Sequence, residues 1–189
     1  MTASESNIKR GGIVKTAGPV EMAHWDLHQG APAYTGITNI YNNLTYRNVG
    51  DGQRDIVPDL ATSWEVSNDG LTYTFTLREG VKWHDGVGFT ALDVIGTFDR
   101  ILNPQEGVIT GSIRQSFEPV EAVRLLDTYK VAFDLKRATP WFINVLGAAP
   151  HFGYPVIYPK HFLDAHDQNV REHLPAGTGA FMFKDRVTG

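Results

Sequence analysis

The chain has 189 residues, with 17 Lys and Arg against 21 Asp and Glu, and carries a formal net charge of −4. Hydrophobic residues make up 42% and charged residues 20%, an apolar share that excludes disorder for most of the chain. No excess of Lys and Arg exists to neutralise phosphates, so a general nucleic-acid binder is disfavoured; the lack of Cys excludes disulfides, Cys-type zinc sites and thiol chemistry.

Gly and Pro together are about 15% of the residues, below the ~25–30% of low-complexity chains. No run of about 18 apolar residues occurs, so the sequence holds no candidate membrane-spanning helix. The first ten residues are polar and contain no apolar signal core.

In chain order, residues 8–16 read as a polar lead-in and a short strand, followed by an irregular stretch over 17–32. Tyr34, Ile37, Ile40, Tyr41 and Leu44 have the three-four spacing of a helix. Residues 48–53 are a turn-rich break. Leu71, Tyr73, Phe75 and Leu77 then alternate with Thr72, Thr74 and Thr76, a period of two in strong β formers. Trp64 and Val66 begin the same pattern, and Ser67-Asn68-Asp69-Gly70 closes a hairpin. Asp85-Gly86 marks a further turn.

Thr90 and Asp93 form a helix start, with a hydroxyl to cap a backbone N–H and an acid in the first turn. Ala91, Ile95, Phe98 and Leu102 are expected to be its apolar stripe, and Asn103-Pro104 its stop. A loop over 105–119 leads to a second hairpin turning at Asp127-Thr128. Its return strand alternates through Tyr129, Val131, Phe133 and Leu135. Pro140 opens a short helix to Leu146. Residues 155–158 are extended, 159–166 form a short helix, and Gly177-Thr178-Gly179 enters a strand through Phe183 that lacks an obvious partner. The order of elements gives a mixed α/β (α+β) chain with mainly antiparallel hairpins.

No catalytic constellation emerges. The histidine spacings, five between His161 and His166 and seven between His166 and His173, miss the i, i+4 spacing of a zinc-binding helix. His24 and His28 are four apart, but the residues between them lack helix signals. Nucleophile elbows and phosphate-binding glycine loops are absent, and Asp127 and Asp134 sit on hairpin strands as solvated rims. Neither an enzyme nor a metal or other cofactor is expected.

Several stretches stand together in a definite order. They are Pro58-Asp59-Leu60-Ala61-Thr62-Ser63-Trp64-Glu65, the turn Asn68-Asp69-Gly70, Tyr73-Thr74-Phe75-Thr76-Leu77-Arg78 and Val81-Lys82-Trp83-His84-Asp85-Gly86. Phe89-Thr90-Ala91-Leu92-Asp93-Val94 and Gly177-Thr178-Gly179-Ala180-Phe181 follow. This array resembles the family 5 extracellular solute-binding proteins, the dipeptide/oligopeptide-binding type of ABC importers. Asp26-Leu27-His28 looks like that family's Leu-Asp-Pro-His stretch, with Leu27 where Pro is usual. The motif residues themselves read as structural: Trp64, Trp83 and Phe75 as core, Thr90 and Asp93 as a cap, the Asp-Gly pairs as turns.

The resemblance implies a periplasmic-binding-protein-like type II fold that closes on ligand by a hinge. Residues 1–43 and 153–189 would be an incomplete first lobe, and 44–152 an inserted small α+β domain with two hairpins and a helix. The second lobe would be missing, as in an N-terminal fragment. The implied role is the substrate-binding component of an ABC importer. It would capture peptides or a similar small solute at the periplasmic or extracellular face and deliver it to a membrane permease. The alternative is a truncated, non-binding fragment with structural or interaction character, able to self-associate through Phe181, Met182 and Phe183.

By the same resemblance, ligand backbone would pair with the loop Gln29, Gly30, Ala31, Pro32, Ala33 and Tyr34, a form of β-augmentation. Small residues there permit close approach, whereas Pro32 removes one N–H that could pair; a plain surface loop is the competing reading. Gly177, Thr178 and Gly179 would lie near the cleft, or be a tight turn only. The resemblance places the carboxylate for a ligand's amino group in the second lobe.

Overall fold

The alternation that marks the first hairpin also decides which side of the sheet is wet. In the computed structural model, which describes residues 24–29, 38–48, 55–147 and 155–185, β3 (Ala61–Val66) and β4 (Thr72–Leu77) pair antiparallel. Gly70 closes their turn at φ 70°, a left-handed conformation that costs glycine little. The Asp69 carboxylate accepts from the Ser67 hydroxyl and the Leu71 N–H. The second hairpin is β5 (Val120–Asp127) and β6 (Lys130–Leu135). β6 adds beside β4, so the four strands order β3-β4-β6-β5. A separate pair, β1 (Thr45–Arg47) and β2 (Ile56–Pro58), precedes them.

Register puts Tyr73 opposite Phe133 and Phe75 opposite Val131, so large apolar groups share one face. Thr72, Thr74 and Thr76 point the other way, where Arg124 and Asp134 form an ion pair and Thr72 donates to Asp134. The apolar face is covered by α1 (Ala91–Leu102). The cap is as expected: the Thr90 hydroxyl accepts from the Leu92 N–H, and the Asp93 carboxylate accepts from the Thr90 N–H at 2.8 Å. The other Asp93 oxygen accepts the N–H of Lys160 at 2.7 Å, the first residue of α4 (Lys160–Ala165), so one carboxylate tethers two helices. Burial raises the Asp93 pKa, and its backbone donors oppose that rise.

The stripe of α1 is rotated from the expected one. Ala91, Val94, Phe98 and Ile101 are buried, while Ile95 and Leu102 are only half-buried. The reason is that α1 serves two cores. Phe98 meets Phe117 and Phe133 edge-on in the larger core, with Phe75, Trp83 and Phe142 also buried there. Thr97 and Arg100 point towards the smaller core of Leu27, Ile40, Tyr41, Val156, Tyr158, Leu163 and Val170. The extended residues 155–158 divide the same way: Val156 and Tyr158 enter the smaller core, and Ile157 between them enters the larger. Each fully buried Phe or Leu contributes about 1.5–3 kcal/mol.

Other expectations change. Trp83 and Phe75 are core, but Trp64 is half-buried and packs at the margin. The helix expected over 34–44 is only a 3-10 turn, Thr38–Ile40, within the described residues. Beyond it the backbone is committed elsewhere: Asn42 O accepts from Ile157 N, Asn43 N donates to Asp59, and Leu44 O accepts from Ala61 N. A helix cannot retain its own hydrogen bonds while giving these away. Within the loop expected over 105–119 lies α2 (Gly111–Ser116), which buries Ile113 and leads into buried Phe117. The short α3 (Phe142–Leu146) stands where Pro140 suggested. The strand expected over 8–16 lies outside the described residues.

The strand expected after Gly179 is not formed as a regular strand. Instead Gly179 N donates to Ile40 O at 2.7 Å and Phe181 N to Asn39 O at 3.3 Å, which supplies a short extended partner. Phe181, Met182 and Phe183 are exposed, and Phe183 meets Trp25 edge-on.

Candidate functional site

Asp26, Leu27 and His28 precede the loop that the sequence singled out, and all three are buried. Burying a carboxylate requires a cation and hydrogen-bond donors. Arg100, from the inner side of α1, supplies the first: its Nη2 lies 2.6 Å from Asp26 Oδ2. The His28 backbone N–H donates to Asp26 Oδ1 at 3.0 Å. The Tyr158 hydroxyl accepts from Leu27 N at 2.9 Å and reaches Asp26 Oδ1 at 3.5 Å. Arg100 Nε donates to Gln168 O at 3.1 Å, so a single guanidinium ties three segments together.

The His28 ring completes this knot, and its chemistry fixes its tautomer. Nε2 lies 2.9 Å from Val156 O, which can only accept, so Nε2 carries the proton. Nδ1 lies 3.0 Å from Arg100 Nη1, which can only donate, so Nδ1 is bare. The imidazole is therefore neutral. Burial, then the Arg100 charge, lower its pKa to about 4. Burial and the nearby Asp26 charge hold the Tyr158 hydroxyl well above its ordinary pKa. The guanidinium carbon sits 5.8 Å from the Tyr158 ring centre. This arrangement positions chain; it offers neither a nucleophile nor a base with access to substrate.

Just beyond the knot is a cavity of about 300 Å³. The Asp26–Arg100 pair forms one wall, Gln29 and residues 106–109 another, and the turn carrying Asp167, Gln168, Arg171 and Glu172 the rest. Gln29 is fixed by Arg171, whose Nη1 donates to Gln29 Oε1 at 2.7 Å. Gly111, at φ 48°, lets the start of α2 come against Gln29: a Cβ there would lie 3.3 Å from Gln29 O. A larger open groove, about 850 Å³, runs between α1, β5 and α4. Two of its cations are engaged by acids, Lys160 by Asp164 at 2.6 Å and Lys136 by Glu118 at 3.9 Å. The smaller cavity is the better candidate because it is lined by Gln29, which Arg171 holds in place.

Of the residues singled out from sequence, Gln29 lines this cavity. Gly30, Ala31, Pro32, Ala33 and Tyr34 lie outside the described residues. Gly177, Thr178 and Gly179 line neither cavity and are instead held on the backbone of residues 39–40. A Cβ on Gly177 would stand 1.9 Å from Ile40 O, and one on Gly179 2.4 Å from Asn39 O. His84 secures the same segment, its N–H donating to Gly177 O and its Nε2 to Gly179 O, both at 2.9 Å. Thr178 donates to Asn42 Oδ1, and Asn42 donates onward to Asp59. Burial raises the Asp59 pKa against those donors.

The sequence reading missed Arg100, Tyr158 and the turn over 167–172. Arg100 had a signal: it is a cation on α1 in step with Asp93 and Thr97, an inward-facing row. Among the described residues, no group of three or more His, Asp or Glu is placed to hold a metal ion, and no helix is long and apolar enough to cross a membrane.

Comparison with known proteins gives this architecture a relationship. The family model for bacterial extracellular solute-binding proteins, family 5 Middle, matches residues 55–189. Heme-binding protein A of Haemophilus influenzae is 34% identical over 163 residues, covering 79% of this chain and 29% of that protein. The dipeptide-binding protein of Escherichia coli is also 34% identical over 163 residues, covering 77% of this chain and 29% of that protein. The crystal structure of NikZ from Campylobacter jejuni in complex with Ni(L-His) superimposes with a TM-score of 0.74 at 30% identity, covering 89% of this chain and 32% of that one. The chain thus spans about three tenths of the length of these relatives, as a mixed α/β portion of a type II periplasmic-binding-protein fold. It belongs to the bacterial extracellular solute-binding proteins of family 5.

Proposed function

We propose that this chain forms one wall of a solute-binding cleft in the substrate-binding component of an ABC importer. Working outside the cytoplasm, it takes up peptides or a similar small polar solute and presents it to a membrane permease. The observation that carries this reading is the anchoring of Gln29. The segment before the loop is pinned by a buried ion pair and a neutral imidazole, while Gln29 itself is held by Arg171 beside a cavity. A residue held in this way can present its groups to a ligand at little entropic cost. The relatives' names, spanning heme, dipeptides and a nickel–histidine complex, favour a compact ligand with polar ends.

In this reading residues 1–43 and 153–189 build the first lobe, and 44–152 an inserted domain. The apolar residues of the smaller core fall in the lobe, with Arg100 of the insert completing its polar knot, and the larger, aromatic core is drawn from the insert except for Ile157. Gly177, Thr178 and Gly179 act as a strap that sets the lobe's edge, and residues 29–34 make the ligand contacts.

One wall of a cleft binds weakly, so the test must detect affinities on the order of millimolar. Amide chemical shifts of the chain, titrated with a di- and tripeptide pool, are expected to move saturably at Gln29, 106–109 and 167–172. Shifts confined to other surfaces, or none at saturating peptide, would overturn the proposal.

A further inference from the structure

The turn that lines the small cavity has a histidine at each end. His166 stands at the C-terminal cap of α4, and its Nδ1 donates to Phe162 O at 3.0 Å. That bond leaves the Nε2 lone pair free and fixes the ring, as the outer hydrogen bond of a metal-ligating histidine does. Phe162 stacks on the same ring at 4.1 Å and 17°, restricting its rotation. The exposed His173 ring lies 4.9 Å from that of His166, tilted by 46°. That centroid separation is close to the spacing of two imidazoles side by side on one ion, each nitrogen about 2.0–2.1 Å from it.

On a continuous helix, residues seven apart would stand about 10 Å from one another along the axis, and the turn solves this with backbone conformation. Asp167 and Gln168 have φ of 49° and 59°, a left-handed pair that reverses the chain at once after α4. Gln168 N donates to Leu163 O and Asn169 N to His166 O, which hold the reversal in place.

We propose that His166 and His173 form a two-imidazole site for a transition-metal ion of the Cu(II), Ni(II) or Zn(II) class, which clips the turn over 167–172 at its base. Two protein nitrogens leave the remaining coordination positions to water, so the ion is exchangeable rather than a structural fixture. Ligation adds a cross-link across the turn that touches both Arg100 and Gln29, and so stabilises the native chain by binding it in preference to the unfolded one. The site requires no solute and stands apart from the proposed transport role.

The test is titration of the full chain with Cu(II) chloride in a non-coordinating buffer at neutral pH, followed by electron paramagnetic resonance and thermal melting. One equivalent with a two-nitrogen signature and a raised Tm is expected. His166→Ala and His173→Ala are each expected to weaken binding at least ten-fold. His161→Ala, which removes the hydrogen bond to Asp85 and neither of the proposed ligands, is expected to leave it unchanged. Because His173 is exposed, His173→Ala tests the site even if His166→Ala unfolds. Absence of stoichiometric binding, or affinity retained within two-fold in His173→Ala, would overturn the proposal.

Discussion

The two cores of this protein are held together by different physics. The larger is aromatic and nearly charge-free: Phe75, Phe98, Phe117, Phe133 and Phe142 are all fully buried, and they meet mostly edge-on. The smaller has comparable burial but is built around Asp26, Arg100, His28 and Tyr158, groups that must satisfy one another away from water. Apolar burial is roughly additive and tolerant of geometry, whereas a buried ion pair loses most of its value if a single partner is lost. The smaller core is therefore the more exacting of the two, and it is the one that adjoins the candidate cavity.

The strongest way to break the contrast is Arg100→Met. It preserves volume but leaves Asp26 buried without its cation, and a loss of about 3–5 kcal/mol is expected in denaturant unfolding. The additional change Asp26→Asn should recover part of that loss. Hydrogen exchange should rise at 24–29 and 156–170 ahead of the sheet; uniform acceleration across both cores would mean they form a single cooperative unit.

Acid is expected to act on the same core. The folded pKa of His28, about 4, lies below the unfolded value near 6.5, so between those values the unfolded chain binds the proton that the native chain refuses. Stability is complete above pH 6.5 and falls as pH drops towards 4, by about 3 kcal/mol from this group. Asp59 and Asp93, with raised pKa values, work in the opposite direction at acid pH, so the diagnostic quantity is a difference between variants. His28→Gln should flatten the slope of stability with pH, and an unchanged slope would remove His28 as its source.

A smaller effect tests the strap near the smaller core. Gly177→Ala places a methyl group against Ile40 O, and the backbone must yield, at a cost of about 1–3 kcal/mol. Gly177 is absent from the positive-φ glycines, so the cost would arise from crowding. A Tm equal to that of the parent chain would show that residues 39–40 move aside freely.

Much of the larger core was legible in the residues. Its strands declared themselves because β periodicity is local: Tyr73, Phe75 and Leu77 must share a face whatever else happens. The Thr90 and Asp93 cap, the Gly70 turn and the short helices after Pro140 and Pro159 also depend on neighbours a few positions away. Residues 34–44 misled for the opposite reason. Their helical spacing is real, but from Asn42 onward the backbone is claimed by Asp59, Ala61 and Ile157, partners that local spacing cannot reveal.

The candidate site divides similarly. Resemblance drew attention to Asp26, His28 and the loop from Gln29, but not to Arg100, Tyr158 or Arg171, which hold them. By itself the sequence determined the hairpins, the capped helix, the glycine turn and the family, because each depends on short-range chemistry or ordered motifs. Only the tertiary structure decided that α1 would serve two cores, that Gly177 and Gly179 would be needed for close approach rather than for a turn, and that His166 and His173 would meet. The first two outcomes depend on contacts between distant segments, where desolvation makes each buried polar group find its partner, and the third on the left-handed backbone at Asp167 and Gln168.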